Sequence, residues 1–211
     1  MKYWGARKRK VEEIEVPEID NSAPFPFPFS LPDLSSNASV HSENNNIYFN
    51  DDITESSCFA LKKELRQVDK KYKDLESVPI YLHLTTNGGD IHSALSVVDC
   101  INALTCSVYT VIDGFVASAG TLLSLAGEKR YIRQNAYALI HQLRSGGYWG
   151  KLEEIKDTYF NLNQIAKHIT DYYLDKTKMT KKKLLELLKK DIILNTEECI
   201  KLGLVDEIYT K

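Results

Sequence analysis

From residue 46 onward, apolar runs of strand length alternate with stretches in which apolar residues return every three or four positions. Residues 47–49, 80–86 and 108–112 read as strands, and two more follow near Arg130 and Leu139. Between them, residues 55–70 carry a helical period. Ile91, Ala94, Leu95, Val98 and Ile101 mark a second helix behind Asp90, and a third begins at Ser118. This alternation predicts βαβ units around a parallel sheet, an α/β fold whose ligands lie at the carboxyl ends of the strands. Beyond Gly150, the positions Leu152, Ile155, Tyr159, Leu162, Ile165, Ile169 and Tyr172 define one long amphipathic helix. Its stripe either meets another subunit or folds onto its own core. The stretch leading into it, residues 144–150, contains Gly146 and Gly147 and is suited to aligning an extended peptide through main-chain hydrogen bonds.

The first 45 residues break the pattern. Five of the six prolines fall there, at Pro17, Pro24, Pro26, Pro28 and Pro32, and serine and asparagine fill residues 35–46. Such a segment cannot bury a core. Its Pro24-Phe25-Pro26-Phe27-Pro28-Phe29 alternation favours a polyproline-like path carrying three aromatic rings, a docking element for a partner, a neighbouring subunit or its own domain; the other reading is a flexible leader removed after synthesis. The chain is therefore divided into an extension, residues 1–45, and one domain, residues 46–211. With 43% hydrophobic and 27% charged residues among 211, that domain can bury a sizeable core. A net charge of −2 points to neither nucleic acid nor a charged membrane as partner. The basic run 7–10 is followed at once by Glu12, Glu13 and Glu15 and reads as a solvated tail. No secretory apolar region follows it, and no stretch approaches the roughly 18 apolar residues of a membrane span. The four cysteines form no Cys-x-x-Cys pair. Reduced thiols are expected, in the cytoplasm or another reducing compartment such as the plastid stroma or a virus-infected cell.

Chemistry concentrates at the strand ends. Gly114-Phe115-Val116-Ala117-Ser118-Ala119-Gly120 sets a serine where an apolar strand turns into an apolar helix. Free N–H groups and the macrodipole at that helix start would stabilise an alkoxide on Ser118 or an oxyanion beside it, although close packing alone also explains small residues at such a turn. Upstream, Asn87-Gly88-Gly89-Asp90 follows a strand. Its glycines bend the chain and leave amides unobstructed, as an oxyanion hole requires, while the plainer reading is a turn with Asp90 as a helix cap. Downstream, a short strand ends in His141, the candidate base; His83, within a strand, and His168, within a helix, read as packing or surface residues. A serine needs such a base, and the base needs an acceptor to fix its tautomer. Asp191 is the preferred acceptor, since it precedes the apolar segment Ile192-Ile193-Leu194 after a leucine-rich helix. The order Ser, His, Asp matches none of the chymotrypsin, subtilisin and α/β-hydrolase orders.

Taken together, these motifs resemble the proteolytic subunit of the Clp protease, the ClpP family, across about residues 47–209. Thr86-Asn87-Gly88-Gly89 is similar to the family's Ser-Pro-Gly-Gly turn, and Gly114 to Gly120 to its Gly-x-Ala-Ala-Ser-x-Gly segment. Ile140-His141-Gln142 resembles its Ile-His-Gln-Pro. Residues 191–206, with Glu198 and Gly203-Leu204-Val205-Asp206, resemble its C-terminal stretch. The resemblance implies stacked βαβ units of the ClpP/crotonase type with a helical handle at about 142–175. It also implies Ser118 as nucleophile, His141 as base and then acid, Asp191 as the residue orienting it, and the Gly88 and Ala119 amides as oxyanion hole. The expected activity is an ATP-independent serine endopeptidase subunit acting on unfolded proteins and peptides, without metal or organic cofactor. The expected assembly is a homo-oligomeric ring, with an ATPase unfoldase as a candidate partner. Alternatives are a viral or phage maturation protease of the same fold, a catalytically silent ring subunit, and a crotonase-like acyl-CoA enzyme. Asn87 and Leu143 stand where the family usually has proline, and no counterpart of its N-terminal strand and axial loop is recognised before Asn45.

Overall fold

A computed structural model describes residues 39–75, 78–147 and 149–210. The Pro-Phe alternation and the basic run lie outside the described residues. Strand β1, Val40–Glu43, comes first, followed by β2, Asn46–Asn50, and helix α1, Glu55–Tyr72. The sequence pattern assigned the β1 stretch to the extension, but it pairs antiparallel with β2, with Val40 opposite Phe49. Helix α1 starts where expected because Thr54 caps it, its side chain accepting from the Ser57 N–H at 3.1 Å.

Strand β3, Ile80–Thr86, leads into α2, Ile91–Asn102; β4, Val108–Ala117, leads into the short α3, Gly120–Leu125. Strands β5, Lys129–Ile132, and β6, Tyr137–Leu139, precede α4, Leu152–Lys176, the long helix. The chain closes with α5 (Lys181–Leu188), β7 (Ile193–Leu194), α6 (Thr196–Leu202) and β8 (Glu207–Ile208). Strands β2, β3, β4, β5 and β8 pair in parallel in that order, and β1 closes one edge. Strand β6 runs parallel to the far end of β4 and takes β7 antiparallel on its other side.

Alternation along the strands sorts the two faces. Ile47, Phe49, Ile80, Leu82 and Leu84 are fully buried and join Leu61, Leu65, Val97 and Leu123 of α1, α2 and α3 in the core. The intervening positions build an aromatic layer: Tyr48 stacks on His83 with centroids 4.6 Å apart, and Tyr131 meets Tyr209 edge-on at 5.6 Å. His83, read as a packing residue, is buried there, its Nδ1 2.9 Å from Asp113 Oδ2, while Asp113 Oδ1 accepts from Arg133 Nε at 2.9 Å. Burial alone would raise the Asp113 carboxyl, but the bonds to His83 and Arg133 outweigh it and hold it below the usual carboxylate range. No helix among the described residues is long and apolar enough to cross a membrane.

Candidate active site

The serine segment departs from a simple strand-to-helix turn. Strand β4 does not stop at Ile112 but continues to Ala117, because its second half exchanges partners and pairs with β6, Ala117 lying opposite Leu139. Ser118 then takes a left-handed conformation, φ 54°, before α3 begins at Gly120. For an L-residue this costs about 1–2 kcal/mol. It is held by the Ser118 N–H donating to Leu139 O at 2.9 Å, and by Ser118 O accepting from the Thr121 N–H at 3.0 Å and from Thr121 Oγ1 at 2.6 Å. The buried Tyr173 hydroxyl bonds Thr121 Oγ1 in turn, tying α4 to the serine turn, and desolvation pushes the Tyr173 phenol up to about 12. Thr121 and Tyr173 were not legible as parts of a site, since their sequence separation is 52 residues and neither belongs to a motif.

The glycine turn packs directly on this serine. Gly88 and Gly89 have φ of 94° and 144°. A Cβ built on Gly88 would lie 2.6 Å from Ser118 Cβ, 2.7 Å from Ala117 O and 3.2 Å from Ala119 N. Only a residue without a side chain lets the two backbones approach this closely, so Gly88 lies directly against the Ser118–Ala119 backbone. The Ala119 N–H precedes the first turn of α3 and has no intrahelical acceptor. At rest the Gly88 N–H donates to Thr86 Oγ1 at 3.1 Å. Asp90 also does what the plainer reading asked of it, its Oδ1 accepting from the Ser93 N–H at 2.7 Å to cap α2, and hydrogen bonding from the Ser93 side chain, then from its N–H, lowers the carboxyl pKa.

Ser118 and His141 open onto the same cavity, about 250 Å³ in volume, with Ile91, Leu122 and Ile169 as its apolar wall and Arg144 at its rim. The β4–β6 register brings them together, since His141 lies two residues beyond Leu139. No hydrogen bond among the described residues joins Ser118 Oγ to His141. The buried His141 Nδ1 has no partner. Asp191 is therefore not on the histidine. Its Oδ2 accepts from Arg144 Nη2 at 2.9 Å, and both side chains face water, at 58% and 74% exposure. The backbone nevertheless sets Asp191 close by. Ala138 pairs with Leu194 and Leu139 with Ile193, a register that two more residues would carry to His141 opposite Asp191. The Gln142 N–H instead bonds Leu188 O at 2.7 Å, which ends the pairing.

Gly146 and Gly147 lie in an exposed segment without regular structure, and neither lines the cavity. The peptide-aligning strand expected there is not formed in residues 144–147, and a Cβ at Gly146 or Gly147 would have nothing within 4 Å. His168 falls within α4, as expected. Among the described residues no group of three His, Cys, Asp or Glu side chains could hold a metal ion. The four cysteines are free, and burial pushes the Cys199 thiol up to about 12. Beyond this geometry, a family model described as Clp protease matches residues 36–211.

Proposed function

The chain belongs to the Clp protease family, and from that premise we propose that it is the catalytic subunit of a self-compartmentalised serine endopeptidase. The observation that carries this reading is Ser118 in a left-handed turn, pressed against Gly88 and sharing one cavity with His141. Ser118 Oγ attacks a peptide carbonyl as His141 takes its proton. The carbonyl oxygen, now an oxyanion, lies between the Gly88 and Ala119 amides. His141 then protonates the departing amine, and a water activated by the same ring releases the acyl group. Asp191 orients the imidazole after leaving Arg144, a side-chain exchange supported by the β6–β7 register, which if continued by two residues would bring Asp191 opposite His141. None of these steps consumes ATP, and each uses only this chain's own groups. The exposed Leu152, Tyr159 and Phe160 on α4 support a subunit interface along the handle, and so a ring assembly.

A second reading draws on one specific feature. The unpartnered His141 Nδ1 and the Arg144–Asp191 pair also suit a silent ring subunit. Fluorophosphonate labelling of the purified protein with peptide mapping separates the two. Labelling at Ser118 that is lost in Ser118→Ala and His141→Ala carries the peptidase reading. An assembled protein that does not label favours the silent subunit, and labelling at another serine sinks the assignment.

A further inference from the structure

We propose that Arg144 is a specificity-determining residue that receives a carboxylate of the peptide substrate, giving up Asp191 as it does so. The proposal rests on the peptidase reading and adds to it the charge class of the substrate.

Arg144 is, among the described residues that line the Ser118 cavity, the only one with a permanent charge. The remaining wall is amide, hydroxyl, imidazole or hydrocarbon. Its apolar part, Ile91, Leu122 and Ile169, is suited to an uncharged side chain beside the scissile bond. The guanidinium stands apart from that wall, on the segment just after His141, so the carboxylate it meets belongs to a residue flanking the cleaved bond or to a chain terminus.

The exchange is permitted by the weakness of the present partner. Arg144 and Asp191 are 74% and 58% exposed and joined through one nitrogen, Nη2. Water screens such a pair, and a second carboxylate competes with it on nearly equal terms. A substrate carboxylate arriving with the rest of its peptide already bound has the advantage of high local concentration. A fork of N–H donors also accepts a carboxylate in two-point fashion, which a lysine cannot reproduce. Once Arg144 has turned to the substrate, Asp191 is free to turn to His141, whose buried Nδ1 lacks a partner and which continuation of the β6–β7 register would bring opposite it. An acidic peptide thereby favours completion of the site that cleaves it.

Binding tests this without depending on turnover. Ser118→Ala protein is titrated, by fluorescence anisotropy, with end-blocked peptides of one sequence carrying Asp, Asn or Lys at successive positions flanking an apolar residue. The expected result is a position at which the Asp peptide binds about five- to tenfold more tightly than the Lys peptide, a gap that narrows as salt screens it. In Ser118→Ala/Arg144→Glu the order inverts, and in Ser118→Ala/Arg144→Lys it keeps its sense with a smaller ratio. Comparing a free carboxyl terminus with its amide tells a terminal carboxylate from an acidic side chain. Equal binding of Asp, Asn and Lys peptides at every position, with no terminal effect, overturns the proposal, as does an order unchanged by Arg144→Glu. Loss of labelling at Ser118 with this binding order intact would overturn the peptidase reading and leave the role of Arg144 standing.

Discussion

Replacing Gly88 by alanine should disable the site while leaving most of the fold in place. The added Cβ would sit 2.6 Å from Ser118 Cβ and 2.7 Å from Ala117 O, on a backbone at φ 94°. The left-handed conformation alone costs an L-residue about 1–2 kcal/mol. Ser118 cannot retreat, because its N–H is bonded to Leu139 O and its carbonyl to Thr121. Ala117 is locked in the β4–β6 ladder opposite Leu139. The glycine turn must move instead, and its amide is carried away from the Ala119 amide. Losing one oxyanion donor lowers kcat by about 10²–10³, or about 2.7–4 kcal/mol of transition-state stabilisation. The assay is kcat on a fluorogenic peptide together with the rate of fluorophosphonate labelling, with thermal melting as the check on folding. Gly146→Ala is the control for melting, since nothing lies within 4 Å of its Cβ. A Gly88→Ala enzyme with kcat within threefold of the parent would refute the placement of this amide at the reacting carbonyl.

Ser118→Ala and His141→Ala should each reduce kcat by at least about 10³, measured on the same peptide, whereas His83→Gln should not. Asp191→Asn should lower kcat less than either while shifting the melting temperature little, because the carboxylate is 58% exposed and its pair with Arg144 is screened; a loss of stability as large as that of a core mutation would refute this. The Asp113 carboxyl has a folded-state pKa below its unfolded value, so its contribution to stability is full above the unfolded value, about 3.9, and is lost as pH falls through the folded one. Urea unfolding from pH 6 to pH 2 should therefore show an acid-side slope that is shallower in Asp113→Asn, and identical slopes would count against the His83–Asp113–Arg133 network.

The parallel sheet and the rim bearing Ser118 were legible because long apolar strands and helical periods carry strong signals, and the glycines mark the turns between them. Strand β1 was not legible, since Val-His-Ser-Glu holds one buried apolar residue inside a serine- and asparagine-rich run, and only pairing with β2 makes it a strand. The length of β4 was misread for a related reason. Asp113 and Gly114 look like a strand end, yet Asp113 is consumed by His83 and Arg133, and the chain runs on to meet β6. Strands β7 and β8 have two residues each, too few for any period to register. At the site, motif spacing placed Ser118, His141 and the glycine turn. It did not place the Asp191 side chain, because an exposed carboxylate chooses among nearby cations and Arg144 is within reach. Nor did it register Tyr173, whose link to Thr121 exists only after α4 folds back.

The site consists of a fixed half and a loose half, and the division predicts how activity depends on assembly. Gly88, Ser118 and Ala119 are pinned by β3, β4, β6 and α3. Residues 141–147, which include His141, Arg144 and Gly146, have no regular structure and precede α4. On α4, Leu152, Tyr159 and Phe160 are 66%, 70% and 61% exposed, a concentration of apolar surface at the end nearest that segment. A second copy covering this end of the helix would fix the start of α4, and with it the described residues that lead back to His141. Burial of the three side chains contributes against the backbone entropy lost in ordering that segment, about 1–2 kcal/mol per residue. Specific activity should therefore rise with protein concentration and level off where native mass spectrometry finds the assembly complete. Tyr159→Glu should lower both the oligomer fraction and activity while leaving core melting little changed, because the side chain is largely exposed. Full activity in a monomeric Tyr159→Glu protein would break the proposed link between α4 and His141.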